Sequence, residues 1–352
     1  MDLTGLGADG RHNYKRDYKV NRPLTDREWD NRLELGKQAS AKPMDGLFVI
    51  KLNSAYLELV DRWYPVRGFA AWQGAMILLL GLVPLIAFLW LAIDDNDPSG
   101  WVFFILTGSV LSFFIWAGYK GMRFDIFRMT HYPIRLNRKT RQVHITRPGD
   151  TVLTVPWDEL FICVHKNDLP LFGKSVDVRA HVLADDGETV VDTFTLAYSW
   201  LGGKDVLMML WEYIRRYMEE PDGVQSNYHA TEICLPVDGR REGFAYGLVR
   251  TFVPYPKKLA PYANWAILQL LFSPIWALTT LGRWFAMSTS KVPVWPAEVE
   301  AACQVDPDDP YRKDWRSNGK YDFYELGWPA ICFVVGLAGV VAGLWWLFSV
   351  VM

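Results

Sequence analysis

Four cations fall within YPIRLNRKTRQVHI, Tyr132–Ile145: Arg135, Arg138, Lys139 and Arg141. Such a density can grip a polyanion. Beside a bilayer, each cation would attract anionic headgroups by about 1 kcal/mol. The plainer use is to fix the orientation of an adjacent membrane segment, and that is the preferred reading. A second polar cluster, Asp94, Asp95 and Asp97 in DDNDPSG, could meet a partner. A third, DPDDP (306–310) with Asp314, lacks the Gly and the terminal Glu of an EF-hand loop and reads as a solvated turn.

Catalytic patterns are missing from the sequence. The six histidines are scattered, and His144 and His181 fall on predicted strands where a metal pair is disfavoured. There is no GxSxG and no Walker motif. GLGADG near the start is an incomplete glycine-rich fingerprint that follows no strand, so a phosphate loop is discounted. Cys163, Cys234, Cys303 and Cys332 form no CxxC pair and read as reduced packing residues. A chain that is not an enzyme, with no cofactor and no metal, is expected.

The elements that must position these residues are largely membrane helices. The chain has 352 residues, 51% of them hydrophobic, and a formal net charge of −2. It lacks the basic excess of a nucleic-acid binder. Its 17 tryptophans fit interface belts. The polar N-terminus has no apolar h-region, so no cleavable signal peptide is expected and insertion must use internal segments. Trp72–Ile93 is uncharged throughout, and Trp101–Met122 carries only Lys120 near its end. Each can cross a hydrocarbon core of about 30 Å. The loop between them has no cation, whereas Arg62, Arg67, Lys120, Arg123 and Arg128 flank the pair. Both flanks are therefore expected to be cytoplasmic, with the acidic tip outside. A last span is predicted at Leu326–Met352, with Gly339 and Gly343 as a GxxxG-like pair.

Segment 263–287 has two readings. Its hydropathy suits a span, giving four helices. Cations on both sides of it suit an interfacial or re-entrant piece, giving three.

The polar stretches divide as follows. Residues 1–71 form a cytoplasmic N-terminal region, where Thr25 and Glu28 make a capping box for a helix over about 26–35. Residues 46–60 offer a strand and a short helix. After the 72–122 hairpin, residues 123–223 alternate as strands separated by the turns KT, RPGD and DDGE. Val176, Val178, Ala180 and Val182 are expected to be buried, against a solvated face of Asp177, Arg179 and His181. Val206, Leu207, Leu210, Trp211, Ile214 and Tyr217 then line one face of a helix. Residues 224–262 read as a loop-rich extension, and 288–325 as a polar, acidic, Pro-rich segment before the 326–352 helix.

A six- or seven-strand meander closed by one helix resembles bacterial pleckstrin-homology-like (PH-like) domains that follow a two-helix membrane hairpin. The matching features are that order, the basic strand pair at 135–147 and VPWDEL (155–160). The expected fold class is thus an α+β membrane protein: a transmembrane helical hairpin, a PH-like antiparallel β-barrel with a C-terminal helix, and one or two further membrane helices. The whole layout, with PVWPAEVEAAC (293–303) and DPDDPY (306–311), is similar to uncharacterised membrane proteins encoded beside type VI secretion effectors in Gram-negative bacteria. That resemblance implies a multi-pass protein of the bacterial inner membrane with its main domain in the cytoplasm. It would be an immunity or accessory protein that neutralises a cognate toxin by stoichiometric binding. The alternatives are a membrane scaffold, for which a homo-oligomer would be expected, and an anionic-lipid-binding PH-like protein.

Overall fold

The computed structural model describes residues 19–169, 173–199, 203–253 and 262–351; GLGADG lies outside them. In chain order its elements are β1 (Arg22–Pro23), α1 (Asp26–Asp30), β2 (Val49–Leu52), β3 (Tyr56–Leu59), α2 (Phe69–Asp95), α3 (Pro98–Met122) and β4 (Ile134–Asn137). Next come β5 (Gln142–Arg147), β6 (Thr151–Pro156), β7 (Leu160–Leu169), β8 (Gly173–Leu183), β9 (Thr189–Ser199), α4 (Gly203–Glu219) and α5 (Gly223–Ala230). The remainder is helical: α6 (Phe244–Phe252), α7 (Tyr262–Leu271), α8 (Ser273–Thr289), α9 (Ala297–Ala302) and α10 (Trp328–Val351). The chain divides into a sheet unit (Met1–Tyr64, His131–Arg241, Val292–Lys320) and a helical unit (Pro65–Thr130, Glu242–Lys291, Tyr321–Met352).

The sheet unit holds two curled antiparallel sheets, ordered β2-β3-β4-β5-β6 and β1-β9-β8-β7. The side-chain period of two gives each strand an inner and an outer face. In the first sheet Leu57, Leu136, Val143 and Val155 are directly opposite one another on successive strands and make an apolar row. Glu58, Arg135, His144 and Thr154 make the neighbouring row, which points the other way. The core takes the apolar row together with Leu207, Leu210, Trp211, Ile214 and Tyr217 of α4, as the helical periodicity predicts. Trp211 stacks on Trp157 with centroids 6.0 Å apart.

The N-terminal region departs from its sequence reading. It is not a separate region, because it supplies β1 to one sheet and β2 and β3 to the other. Over 46–60 it forms a strand hairpin rather than a strand and a helix. Thr25 does cap a helix through the reciprocal Glu28 box, but the helix stops at Asp30. The 224–262 stretch carries two helices, α5 and α6.

In the helical unit, α2 and α3 are an antiparallel hairpin joined by Asn96 and Asp97 alone, α2 running past both predicted ends and α3 past its predicted start. Tyr64–Asp95, Pro98–Met122 and Phe323–Leu347 are three helical stretches long and apolar enough to cross a membrane. Segment 263–287 is two helices instead, broken at Phe272, with Pro274 in the first turn of α8; neither reaches spanning length. The glycine of α10 that meets a neighbour closely is Gly336, whose added Cβ would lie 2.2 Å from the Ser273 carbonyl oxygen. Gly343 has nothing within 4 Å, so the GxxxG-like pair is not the contact.

Gly74 and Gly118 set the spacing of the hairpin. A Cβ on Gly118 would lie 2.4 Å from Leu78 N, and one on Gly74 would lie 2.4 Å from Met122 N. Backbone cannot yield as a side-chain tip can. Gly118→Val is therefore expected to cost roughly 1–3 kcal/mol or more. Gly100→Ala, whose Cβ would meet only Ala92 Cα at 3.9 Å, is the control. Thermal melting in detergent reads both, and equal midpoints would refute the close approach.

Candidate functional site

Arg135, one of the cations that could meet a lipid or partner, is buried, at 2% exposure. On β4 it faces Glu58 of β3, and its Nη2 donates to Glu58 Oε2 at 2.8 Å and to Glu300 Oε1 at 3.2 Å. Its guanidinium lies 4.3 Å from the Tyr56 ring centroid and 4.7 Å from that of Trp295. This is a cation held between two aromatic faces. Burial works against its charge, but Glu58, Tyr56 and Glu300 together more than offset that, so the guanidinium stays protonated.

The second aromatic face comes from the segment singled out in PVWPAEVEAAC. Trp295, Val299 and Cys303 pack on Ala55 and Tyr56. Trp295 Nε1 donates to Glu58 Oε1 at 3.0 Å. Asn137 Nδ2 donates to the Ala302 carbonyl at 2.8 Å. Further along, the Asp309 carboxylate of DPDDPY accepts from Ser54 N and Ser54 Oγ, both at 2.7 Å. Burial raises the Asp309 pKa, but these hydrogen bonds outweigh it and hold the carboxylate ionised. Residues 293–311 thus form a strap across the polar row of the first sheet. Val294 stands out from it at 84% exposure.

His144 is the next residue of that row. Its Nδ1 lies 2.9 Å from Thr154 Oγ1. Its Nε2 has no hydrogen-bond partner among the described residues. Burial, and then the Arg135 charge, push it down to about 4. The folded state therefore keeps His144 neutral while the unfolded chain protonates it near its ordinary 6.5. Stability from this group is complete above 6.5 and is lost as pH falls towards 4. From about pH 8 to pH 5, wild type is expected to lose about 2 kcal/mol more than His144→Asn. Paired melting curves at the two pH values check this, and parallel losses would refute it.

Arg138, Arg141 and Arg147 are also engaged. Arg138 donates to the Tyr217 and Glu220 carbonyls. Arg141 binds Asp158, the Met218 carbonyl at 3.1 Å and Glu219 at 2.8 Å. Both cap the C-terminus of α4, where the carbonyls and the helix dipole favour positive charge. Arg147 pairs with Asp192 at 2.6 Å. Lys139 is exposed. The hairpin is therefore a structural clamp rather than an open anion patch. Asp94 and Asp95 end α2 exposed, and Asp97 caps α3 by accepting from Ser99 N at 3.2 Å.

The face of β8 read as solvated is buried as well. Asp177, Arg179 and His181 are each at 1% exposure or less. Arg62 donates to Asp177 at 3.1 Å, and Arg179 does so at 3.1 Å. Glu28 of α1 reaches His181 Nε2 at 3.2 Å, with Cys163 Sγ 3.5 Å from the same nitrogen. The N-terminal segment covers this face, with Leu33 N donating to the Ile162 carbonyl at 2.7 Å. A Cys, a His and a Glu meet here, but both partners share one nitrogen, unlike the relay of a nucleophilic triad. Burial also pushes the Cys163 thiol up to about 12, and does the same to Cys234. Neither is a thiolate at neutral pH. His144 and His181 sit in different sheets with different partners.

These features define a mixed α+β chain with two curled sheets, a strapped polar row and three helices able to cross a membrane. A family described as "Family of unknown function (DUF6708)" matches residues 111–307, more than half of the sequence, and the chain belongs to it. The match runs from α3 through the strap residues Trp295 and Glu300. No curated protein and no solved structure matches.

Proposed function

We propose that this chain is an inner-membrane immunity or accessory protein that binds and neutralises a cognate type VI secretion effector, without turnover. The three apolar helices hold it in the bilayer. The basic flanks of the α2–α3 hairpin support a cytoplasmic sheet unit, and two curled sheets followed by α4 support a PH-like reading of it.

The observation that carries the reading is the strap. The two segments on which the resemblance rests, 293–303 and 306–311, are braced on the first sheet by Trp295, Glu300 and Asp309. A braced surface loses little conformational entropy when a partner docks, and Val294 is presented on it.

The test is competition between parent and deletant. Cells lacking the chain are expected to be killed by sibling cells only while the neighbouring effector gene is intact. A deletant that competes unharmed overturns the proposal. Val294→Arg changes an exposed side chain and is expected to weaken protection at normal protein level. Asp94→Lys with Asp95→Lys tests the acidic tip in the same assay.

A further inference from the structure

We infer that the basic end of the helical unit carries a site for anionic phospholipid headgroups, built by the loop after α3 and the end of α8. The membrane-length stretch of α3 ends at Met122. Arg123, Phe124, Phe127 and Arg128 follow within six residues, so a bilayer around these helices meets them at its surface.

The loop is constructed, not slack. Ile126 is buried against Ala71 and Ala286. Asp125 Oδ2 accepts from Gly68 N and Ala71 N, both at 3.0 Å, at the start of α2. Lys291 N donates to the Arg128 carbonyl at 2.7 Å, and Thr130 N donates to the Lys291 carbonyl at 2.8 Å. These bonds fix the loop to the end of α8.

This rigid turn directs its largest apolar side chains outward. Phe124 is 51% exposed and Phe127 57%. Phe127 has φ +56°, a left-handed conformation that is costly for a bulky residue. Arg123 lies 5.6 Å over the Phe127 ring. Trp284 is half exposed on α8, and Lys291 is exposed just beyond that helix. Aromatic side chains interleaved with Arg and Lys at the end of apolar helices match the headgroup layer, where rings sit at the boundary and cations meet phosphate. The occupant is an anionic phospholipid of the leaflet that meets this end. This site replaces the hairpin cations as the lipid contact, and it stands independently of toxin neutralisation.

The full chain in detergent, titrated with phosphatidylglycerol or phosphatidylcholine, tests it through the thermal midpoint. Phosphatidylglycerol is expected to raise the midpoint more than phosphatidylcholine, and the difference is expected to shrink at about 1 M salt. Arg123→Gln with Arg128→Gln is expected to raise the half-saturating phosphatidylglycerol concentration roughly tenfold. Lys291→Gln alters only an exposed side chain and is expected to raise it by a smaller factor. Arg138→Gln with Lys139→Gln is expected to leave it unchanged. Equal responses to the two lipids would overturn the inference, as would an unchanged response in both the Arg123/Arg128 and Lys291 variants. A lipid-independent dimer that is lost in Phe124→Ser with Phe127→Ser would assign the patch to a second copy instead.

Discussion

Arg135→Met is expected to destabilise the sheet unit by roughly 3–5 kcal/mol. The side chain is nearly the right length, so packing between Tyr56 and Trp295 is partly kept. What is lost is the charge that compensates Glu58, itself buried and left with only Trp295 Nε1 among the hydrogen bonds described above. An uncompensated buried carboxylate is the costly species, more than the missing ion pair. It follows that Arg135→Met with Glu58→Gln should recover at least half of the loss, since the coupling belongs to the pair. Denaturant unfolding in detergent reports both numbers. Protease cleavage within 293–303 reports whether the strap lifts, as it should in the single variant. A single variant as stable as wild type would refute a buried, compensated pair.

The second large effect lies in the helical unit. The side chains of Arg283 of α8 and Glu242 are at 1% exposure or less, and the guanidinium grips the carboxylate through Nε at 2.6 Å and Nη2 at 2.7 Å. The guanidinium also donates to the Pro65 carbonyl at 3.3 Å. Arg283→Met is expected to cost roughly 3–5 kcal/mol, because a buried carboxylate loses its bidentate cation. Arg283→Lys should recover only part of this, because an ammonium cannot make the two parallel bonds of the guanidinium fork. Surroundings leave little room to relax: Gly68 at φ +93° would place a Cβ 2.2 Å from Arg283 N, and Gly247 would place one 2.9 Å from Glu242 Oε1. Detergent melting midpoints rank the three proteins. Equal midpoints for the Lys and Met variants would refute the bidentate account.

Much of this was legible in the sequence where a pattern is local. The α2–α3 hairpin, the Thr25 box, the basic strand pair and the buried face of α4 all depend on residues close together in the chain. Faces were legible too, since alternation separates Leu136 from Arg135 and Val178 from Asp177. Which face meets water was not. Alternation says that two faces differ, and it is silent about a distant segment covering the polar one. Arg135 is covered by Trp295, and His181 by Glu28. No property of β4 or β8 announces those covers. The same limit applies to residues 1–71, whose β3 pairs with β4 across the intervening α2–α3 hairpin. For 263–287, hydropathy and charge averaged over a segment that Phe272 divides in two.

Strands β3 and β4 are neighbours in register, Leu59 opposite Ile134, yet both helices of the α2–α3 hairpin lie between them in the chain. This sets an order of events during synthesis. Glu58 leaves the ribosome 77 residues before Arg135 and 237 before Trp295. Until α2, α3 and β4 have been made, β3 is an open edge carrying an unmatched carboxylate. The first sheet can therefore close only after the α2–α3 hairpin has been made. A chain in which β4 does not reach β3 leaves the β2–β3 pair with an exposed strand edge that invites aggregation and proteolysis.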